Sequence, residues 1–203
     1  PYTTLFRSSG AHKPTSGEIL INNSVVNFDS PADAKDNHIE MVYQDLSLCN
    51  SIDVAGNLFL GREIHKNICG LKLLDKKKMH SDSTNILNDL SIKVSSTKIK
   101  VENLSGGQRQ SIAIGKAVSF DPKVLIMDEP TSALAVAEVK AVLDLIKTVS
   151  KKGVSVIFIT HRLQDIFKVC DRVMVMYEGK KVADKLINKT TLQDLVELIV
   201  TEH

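Results

Sequence analysis

Two short apolar runs limit the class of fold open to this chain. Val124-Leu125-Ile126-Met127 and Val154-Ser155-Val156-Ile157-Phe158-Ile159 are nearly continuous and rich in β-branched residues. A strand with one wet face alternates apolar and polar side chains. A nearly unbroken run suits a strand covered on both faces, as in a parallel sheet flanked by helices. Between the runs, Val139, Val142, Leu143, Ile146 and Val149 recur at helical period and form one apolar stripe on Val136–Val149. Strand, helix and strand across residues 124–160 predict a right-handed crossover between parallel strands. The expected fold class is α/β.

The remaining elements read more weakly. Gly17–Asn23 is expected as a short strand ending in a polar turn, and Ile39–Tyr43 as a second strand. Ser30 caps a helical turn over Pro31–Lys35, and a capped helix is expected over Asp53–Phe59. A polar helical region runs over Asp75–Leu90, with Ile86, Leu87 and Leu90 on one face, and helical period returns at Ser111–Val118. Val173–Tyr177 and Lys181–Ala183 read as a hairpin around Glu178-Gly179-Lys180, followed by an amphipathic helix over Leu192–Val200.

Composition excludes several functions. The chain has 203 residues, enough for one domain with a full core, and 43% of them are apolar against 25% charged, which excludes a disordered chain. A net charge of +2 gives no argument for a nucleic-acid or anionic-membrane partner. The longest apolar runs, Ala133–Ala137 and Val173–Tyr177, are far too short to span a bilayer. Cys49, Cys69 and Cys170 are odd in number and widely spaced, so reduced thiols of a cytosolic protein are expected rather than disulfides or structural zinc. The first ten residues have no apolar core, so no secretory leader is expected in this sequence.

Chemistry is concentrated at four places. Leu104-Ser105-Gly106-Gly107-Gln108 sets a Ser and two glycines just ahead of a helix, where backbone N–H groups and the helix N-terminus favour an anion; an ordinary capped glycine turn fits the same string. Asp128 and Glu129 follow directly on an apolar strand, at the end where open α/β sheets hold their ligands. There Asp128 is placed to hold Mg²⁺ and Glu129 to take a proton from attacking water; a solvated acidic turn, with Pro130 ending the strand, is the alternative from the residues alone. His161 in Thr160-His161-Arg162 follows the second run, and Gln44 follows Ile39–Tyr43. Alone, neither says much, since most single histidines are structural or on the surface.

In order and spacing the four places resemble the nucleotide-binding domain of ABC transporters, over nearly the whole chain from Gly10 onward. Gln44 in Val42-Tyr43-Gln44-Asp45 matches the Q-loop, Leu104–Gln108 the signature motif, Val124–Asp128 Walker B, Glu129 the catalytic glutamate and His161 the switch histidine. Ser9–Ile19, Gln44–Leu48 with Asn57–Glu63, and Glu129–Val136 are similar to the ribose-, xylose- and fructose-type sugar importers. The resemblance implies an ABC ATPase fold with a parallel core sheet and a helical signature subdomain, at about residues 45–118, within a domain of residues 9–203. It implies ATP and Mg²⁺ as ligands, with Asp128 and Gln44 at the metal and Glu129, His161 and Gln44 as catalytic residues. Ser105, Gly106, Gly107 and Gln108 would face the γ-phosphate held by a second nucleotide-binding domain, in a homodimer. Transmembrane permease subunits would meet the region Asp45–Glu63 at the cytoplasmic face of the membrane, and a sugar-binding protein outside the cell would act indirectly.

Two features depart from the family pattern. No G-x-x-x-x-G-K-[ST] string occurs; residues 1–8 stand where relatives carry it and have neither the glycines nor the lysine. The expectation is an N-terminally truncated domain, lacking the first strands and the Walker A loop, with residues 1–8 outside the family and little activity alone. Ala135 stands where most members carry the Asp that couples the two nucleotide sites. The alternatives are a soluble ABC-type ATPase acting on ribosomes or DNA, and a natively degenerate module without catalysis.

Overall fold

In the computed structural model, which describes residues 9–200, the run ending at Asp128 becomes the middle strand of a parallel sheet. Residues 1–8, expected to lie outside the family, fall outside the described residues. The chain enters through an antiparallel hairpin, β1 (Ile19–Ile21) and β2 (Ser24–Val26), turned at Asn22-Asn23 with both residues at positive φ. Such a two-residue turn matches the twist of its flanking strands, and asparagine tolerates it best after glycine. Helix α1 (Pro31–Asp36) follows, capped by Ser30, whose hydroxyl accepts from the Asp33 N–H while Asp33 accepts from the Ser30 N–H at 2.9 Å. Strand β3 (Ile39–Val42) then opens the sheet.

The next segment leaves the sheet. It comprises α2 (Val54–Leu58), capped by Asp53, the hairpin β4 (His65–Ile68) and β5 (Leu71–Leu74), α3 (Lys76–Asp89), capped by Asp75, and α4 (Gly106–Val118), capped by Ser105. The chain returns through β6 (Val124–Asp128), α5 (Val136–Lys151) and β7 (Ser155–Ile159). Helix α6 (Leu163–Val169), the hairpin β8 (Arg172–Tyr177) with β9 (Lys180–Leu186), and α7 (Leu192–Val200) complete the described chain.

The sheet order is β3–β6–β7, with both pairings parallel. Met127 lies opposite Val42 on one side and Phe158 on the other, so all three strands end level. The sheet's Leu125 and Met127 pack into the main core with the α5 stripe of Val139, Val142, Leu143, Ile146 and Val149, and with Ile112 and Ile114 of α4. Ile39 and Ile126 face the other way, against Phe28 and Ala34.

One expectation fails. β6 is buried on both faces, but β7 is not, because Ile157 is 47% exposed. β7 is the outer strand of the described sheet, and the layer formed by Phe28 and α1 reaches Ile126 without reaching Ile157. The hairpin β4–β5 and strand β2 were also not expected. Every residue of β4 and β5 is exposed, so no burial pattern announces them.

Leu125→Ala should cost about 2–5 kcal/mol of stability by cavity formation, and Ile157→Ala about 1 kcal/mol or less. Urea unfolding distinguishes the two; similar losses would show that the Ile157 face is covered in solution.

Candidate functional site

Because the three parallel strands end level, the loops that follow them emerge side by side at the carboxyl edge of the sheet. These loops carry Gln44, the Asp128-Glu129 pair, and Thr160-His161. The middle loop is pinned by its backbone. The Glu129 N–H donates to the Ile159 carbonyl at 2.9 Å, and the Glu129 carbonyl accepts from the Ser132 N–H at 3.1 Å and the Ser132 hydroxyl at 2.8 Å. Glu129 itself sits at φ +49, in the left-handed region that a non-glycine residue adopts at a cost of about 1–3 kcal/mol. The acid is therefore held in a conformation it would not choose alone, by bonds from β7 and from its own turn.

The Glu129 carboxylate meets the histidine loop directly. Oε1 accepts from the His161 backbone N–H at 3.0 Å and lies 2.8 Å from His161 Nδ1, while Oε2 accepts from the Thr160 hydroxyl at 3.4 Å. The His161 side chain is 74% exposed and the Glu129 side chain 18%, so the acid is sheltered while the ring faces outward. With Nδ1–H donating to the carboxylate, Nε2 is the ring atom left for a ligand: an acceptor in the neutral ring, a donor in the protonated one.

Asp128 ends β6 and is buried. Burial penalises its charged form, and the neighbouring negative charge of Glu129 adds to that, so its pKa is pushed above the ordinary value. A desolvated carboxylate beside a second carboxylate supplies oxygen donors only, which fits a hard cation such as Mg²⁺ that keeps much of its water. Among the described residues no group of three or more His, Cys, Asp or Glu clusters as a metal site. Gln44 is exposed just beyond β3, and among the described residues no hydrogen bond links it to Asp128 or Glu129.

The Ser-Gly-Gly string forms a second centre, at the start of α4. The Ser105 hydroxyl accepts from the Gln108 N–H at 3.3 Å, and Gln108 Oε1 accepts from the Ser105 N–H at 3.1 Å, a reciprocal cap. The helix thus begins at Gly106, five residues before the apolar period makes it visible. A residue the sequence did not single out, Glu138 of α5, joins this centre. Its Oε1 accepts from the Gly107 N–H at 3.1 Å and its Oε2 from the Ala135 N–H at 3.2 Å. The Ser105 hydroxyl, then the Gly107 and Ala135 N–H groups, hold the Glu138 carboxyl below its ordinary pKa. Gly107 has no room for a side chain, since a Cβ there would lie 2.7 Å from Glu138 Cβ and 2.9 Å from Cγ. The spacing Ala135-x-x-Glu138 is that of a capping box with its cap hydroxyl missing, the one sequence signal that pointed here.

The structure therefore unites Glu129, His161 and Thr160, sets Asp128 beside them, and leaves Gln44 nearby without a bond. Ser105–Gln108 form no hydrogen bond or ion pair with Asp128, Glu129 or His161 among the described residues.

Comparison with known proteins identifies the family and the fold. The family described as "ABC transporter" matches residues 3–132. The chain is 40% identical over 193 residues to the xylose/arabinose import ATP-binding protein of Sulfolobus acidocaldarius, covering 95% of this chain and 75% of that one. It is 38% identical over 192 residues to the fructose import ATP-binding protein of Rhizobium meliloti, covering 93% and 74%. Against the ribose import ATP-binding protein of Bacillus licheniformis it is 38% identical over 192 residues, but spans only 38% of that relative's length. Among solved structures, a nucleotide-free ATP-binding cassette from an ABC transporter superposes with a TM-score of 0.78 at 25% identity, covering 98% of this chain and 83% of that one. A dimeric ATP-binding cassette bound to ADP and Pi, at 21% identity and a TM-score of 0.71 over 92% and 80%, shares the fold.

The Asp128 pKa is raised above its ordinary value of 3.8, so the folded chain holds that proton more tightly than the unfolded chain. Ionised Asp128 thus lowers stability in full above its folded-state pKa, and the penalty fades as pH falls through that value and is gone below the unfolded one. Asp128→Asn in metal-free buffer should raise the thermal midpoint at pH 7, with the gain vanishing below about pH 4. A gain that is the same at both pH values would exclude ionisation as its cause. Gly107→Ala, forced against the stem of Glu138, should cost about 1–3 kcal/mol by overpacking; chemical denaturation checks it.

Proposed function

The chain belongs to the ABC transporter family, and from that premise we propose that it powers sugar import as the ATP-binding subunit of a transporter. The observation that carries the reading is Glu129, held at the end of a buried parallel strand beside Asp128 and 2.8 Å from His161. A carboxylate sheltered from water yet open to the ring of His161 suits a general base for water attacking a phosphoryl group.

The roles follow from what each group can offer. Glu129 orients and deprotonates the attacking water. His161, already anchored through Nδ1, presents Nε2 to an oxygen of the γ-phosphate. Ser105, Gly106, Gly107 and Gln108 present the start of α4 to the γ-phosphate held by a second copy, in a head-to-tail pair. Asp128 and Gln44 are the residues that would hold Mg²⁺, directly or through water, and when bound the ion neutralises charge on the phosphate oxygens. Catalysis of this kind rests on positioning and charge more than on covalent chemistry.

The 203 residues contain no G-x-x-x-x-G-K-[ST] loop, so by themselves they should hydrolyse little ATP. The loop and helix α2 at Asp45–Glu63 follow Gln44 directly, which suits them to pass its movement to a permease at the cytoplasmic membrane face. Selection of the sugar would rest with the permease and an external binding protein. Among the described residues no helix is long and apolar enough to cross a membrane.

In the complete transporter, Glu129→Gln should retain ATP while hydrolysis falls by about 100-fold or more. Radiolabelled nucleotide retention and phosphate release measure the two; unchanged turnover would remove Glu129 from the role of base.

A further inference from the structure

The helix after the histidine loop holds a carboxylate whose placement the proposed chemistry does not use. Asp165 lies in the first turn of α6 and is 1% exposed. Its Oδ2 accepts from the Thr131 hydroxyl at 3.0 Å and forms an ion pair with Arg162 Nε at 3.0 Å, and Lys168 Nζ lies 3.5 Å from Oδ1. Thr131 is fully buried and follows Glu129 by two residues. The Arg162 guanidinium, next in sequence to His161, also donates to the Thr131 carbonyl at 3.3 Å. We infer that Asp165 is a positioning residue that locks the loop carrying Glu129 to the loop carrying His161.

The plainer account is an acid in the first turn of a helix, stabilised by the helix itself. The bonds argue against it. Such an acid accepts from the N–H groups of its own first turn, whereas among the described residues the Asp165 carboxylate accepts from side chains only. One of these comes from 34 residues away across the site. A carboxylate taken fully out of water is costly unless it is paired and bonded, and the groups that satisfy this one belong to the two functional loops and to Lys168. The two loops are thus tied twice. At one end Glu129 bonds His161 and Thr160, and at the other Thr131 bonds Asp165 and Arg162. Thr160 links the ends, since its hydroxyl accepts from the Arg162 N–H at 3.0 Å. Losing the Thr131–Asp165 bond loosens the second of these ties and with it the turn through Pro130 that carries Glu129.

The functional importance of this lock rests on Glu129 and His161 acting as proposed, but the lock itself is testable without turnover. Thr131→Val removes the hydroxyl and keeps the shape, and Thr131→Ser restores it; Asp165→Asn is the more drastic variant. Amide hydrogen exchange followed by NMR on the 203-residue chain reads the His161 N–H, which donates to Glu129, against amides inside Val124–Asp128. Thr131→Val should speed exchange at His161 by about tenfold or more, with the β6 interior unchanged, and Thr131→Ser should return it to the parent rate. Exchange at His161 that stays at the parent rate, or rises only in step with the β6 amides, would overturn the inference. In the complete transporter Thr131→Val should lower kcat with KM for ATP unchanged. If the exchange result holds while Glu129→Gln leaves hydrolysis intact, the lock stands and the catalytic reading falls.

Discussion

The parallel ladder that sets Val124–Asp128 between Ile39–Val42 and Ser155–Ile159 determines where every loop of the candidate site begins. Parallel strands cannot be joined by tight turns, so the connections must leave the sheet and return. One connection, from β3 to β6, is long enough to carry the whole helical segment with Ser105 at the start of α4. The other, α5, supplies the apolar stripe that buries Leu125 and Met127. Because all three strands run the same way and end level, Gln44, Asp128-Glu129 and Thr160-His161 share one edge without any side chain having to reach for another.

That edge concentrates negative charge where it is least welcome. Asp128 ends a strand covered on both faces, and its charged form is penalised by burial and by Glu129. Glu129 adds a left-handed backbone. Neither feature helps folding, and both fit the proposed role of this edge, where a cation and an attacking water would be held. The opposite case is Glu138, whose carboxylate is welcome: it lies at the starts of two helices, taking the N–H groups of Gly107 and Ala135. It supplies α5 with the cap that Ala135 cannot, and it ties that helix to the Ser-Gly-Gly turn.

The sequence made the sheet legible because burial on both faces leaves a run of apolar residues that little else explains. The α5 stripe and the capped helices at Ser30, Asp53 and Asp75 were legible for related reasons, through helical period and cap chemistry. Strands β2, β4 and β5 were not. His65-Lys66-Asn67-Ile68 has no apolar alternation, and its strand forms because Cys69 and Gly70 both turn through positive φ, which closes a hairpin whatever flanks it. The exposure of Ile157 was equally hidden, since β-branched composition says that a residue suits a strand, not whether a layer covers it. At the site, Glu129 meets Thr160 and His161 because strand ends are a place fixed by topology. The hold of Glu138 on Gly107 and of Asp165 on Thr131 depends on how α5 and α6 pack, which no local spacing encodes.

The central claim is that Glu129 and His161 act as one unit in ATP turnover, held together by the 2.8 Å contact between carboxylate and ring. A double-mutant cycle on kcat/KM in the complete transporter, with Glu129→Gln, His161→Ala and both together, tests it most directly. Residues that act as a unit are strongly non-additive, so the double variant is predicted to be about as slow as the slower single variant. Losses that multiply would contradict the account, because they would mean that each residue works without the other.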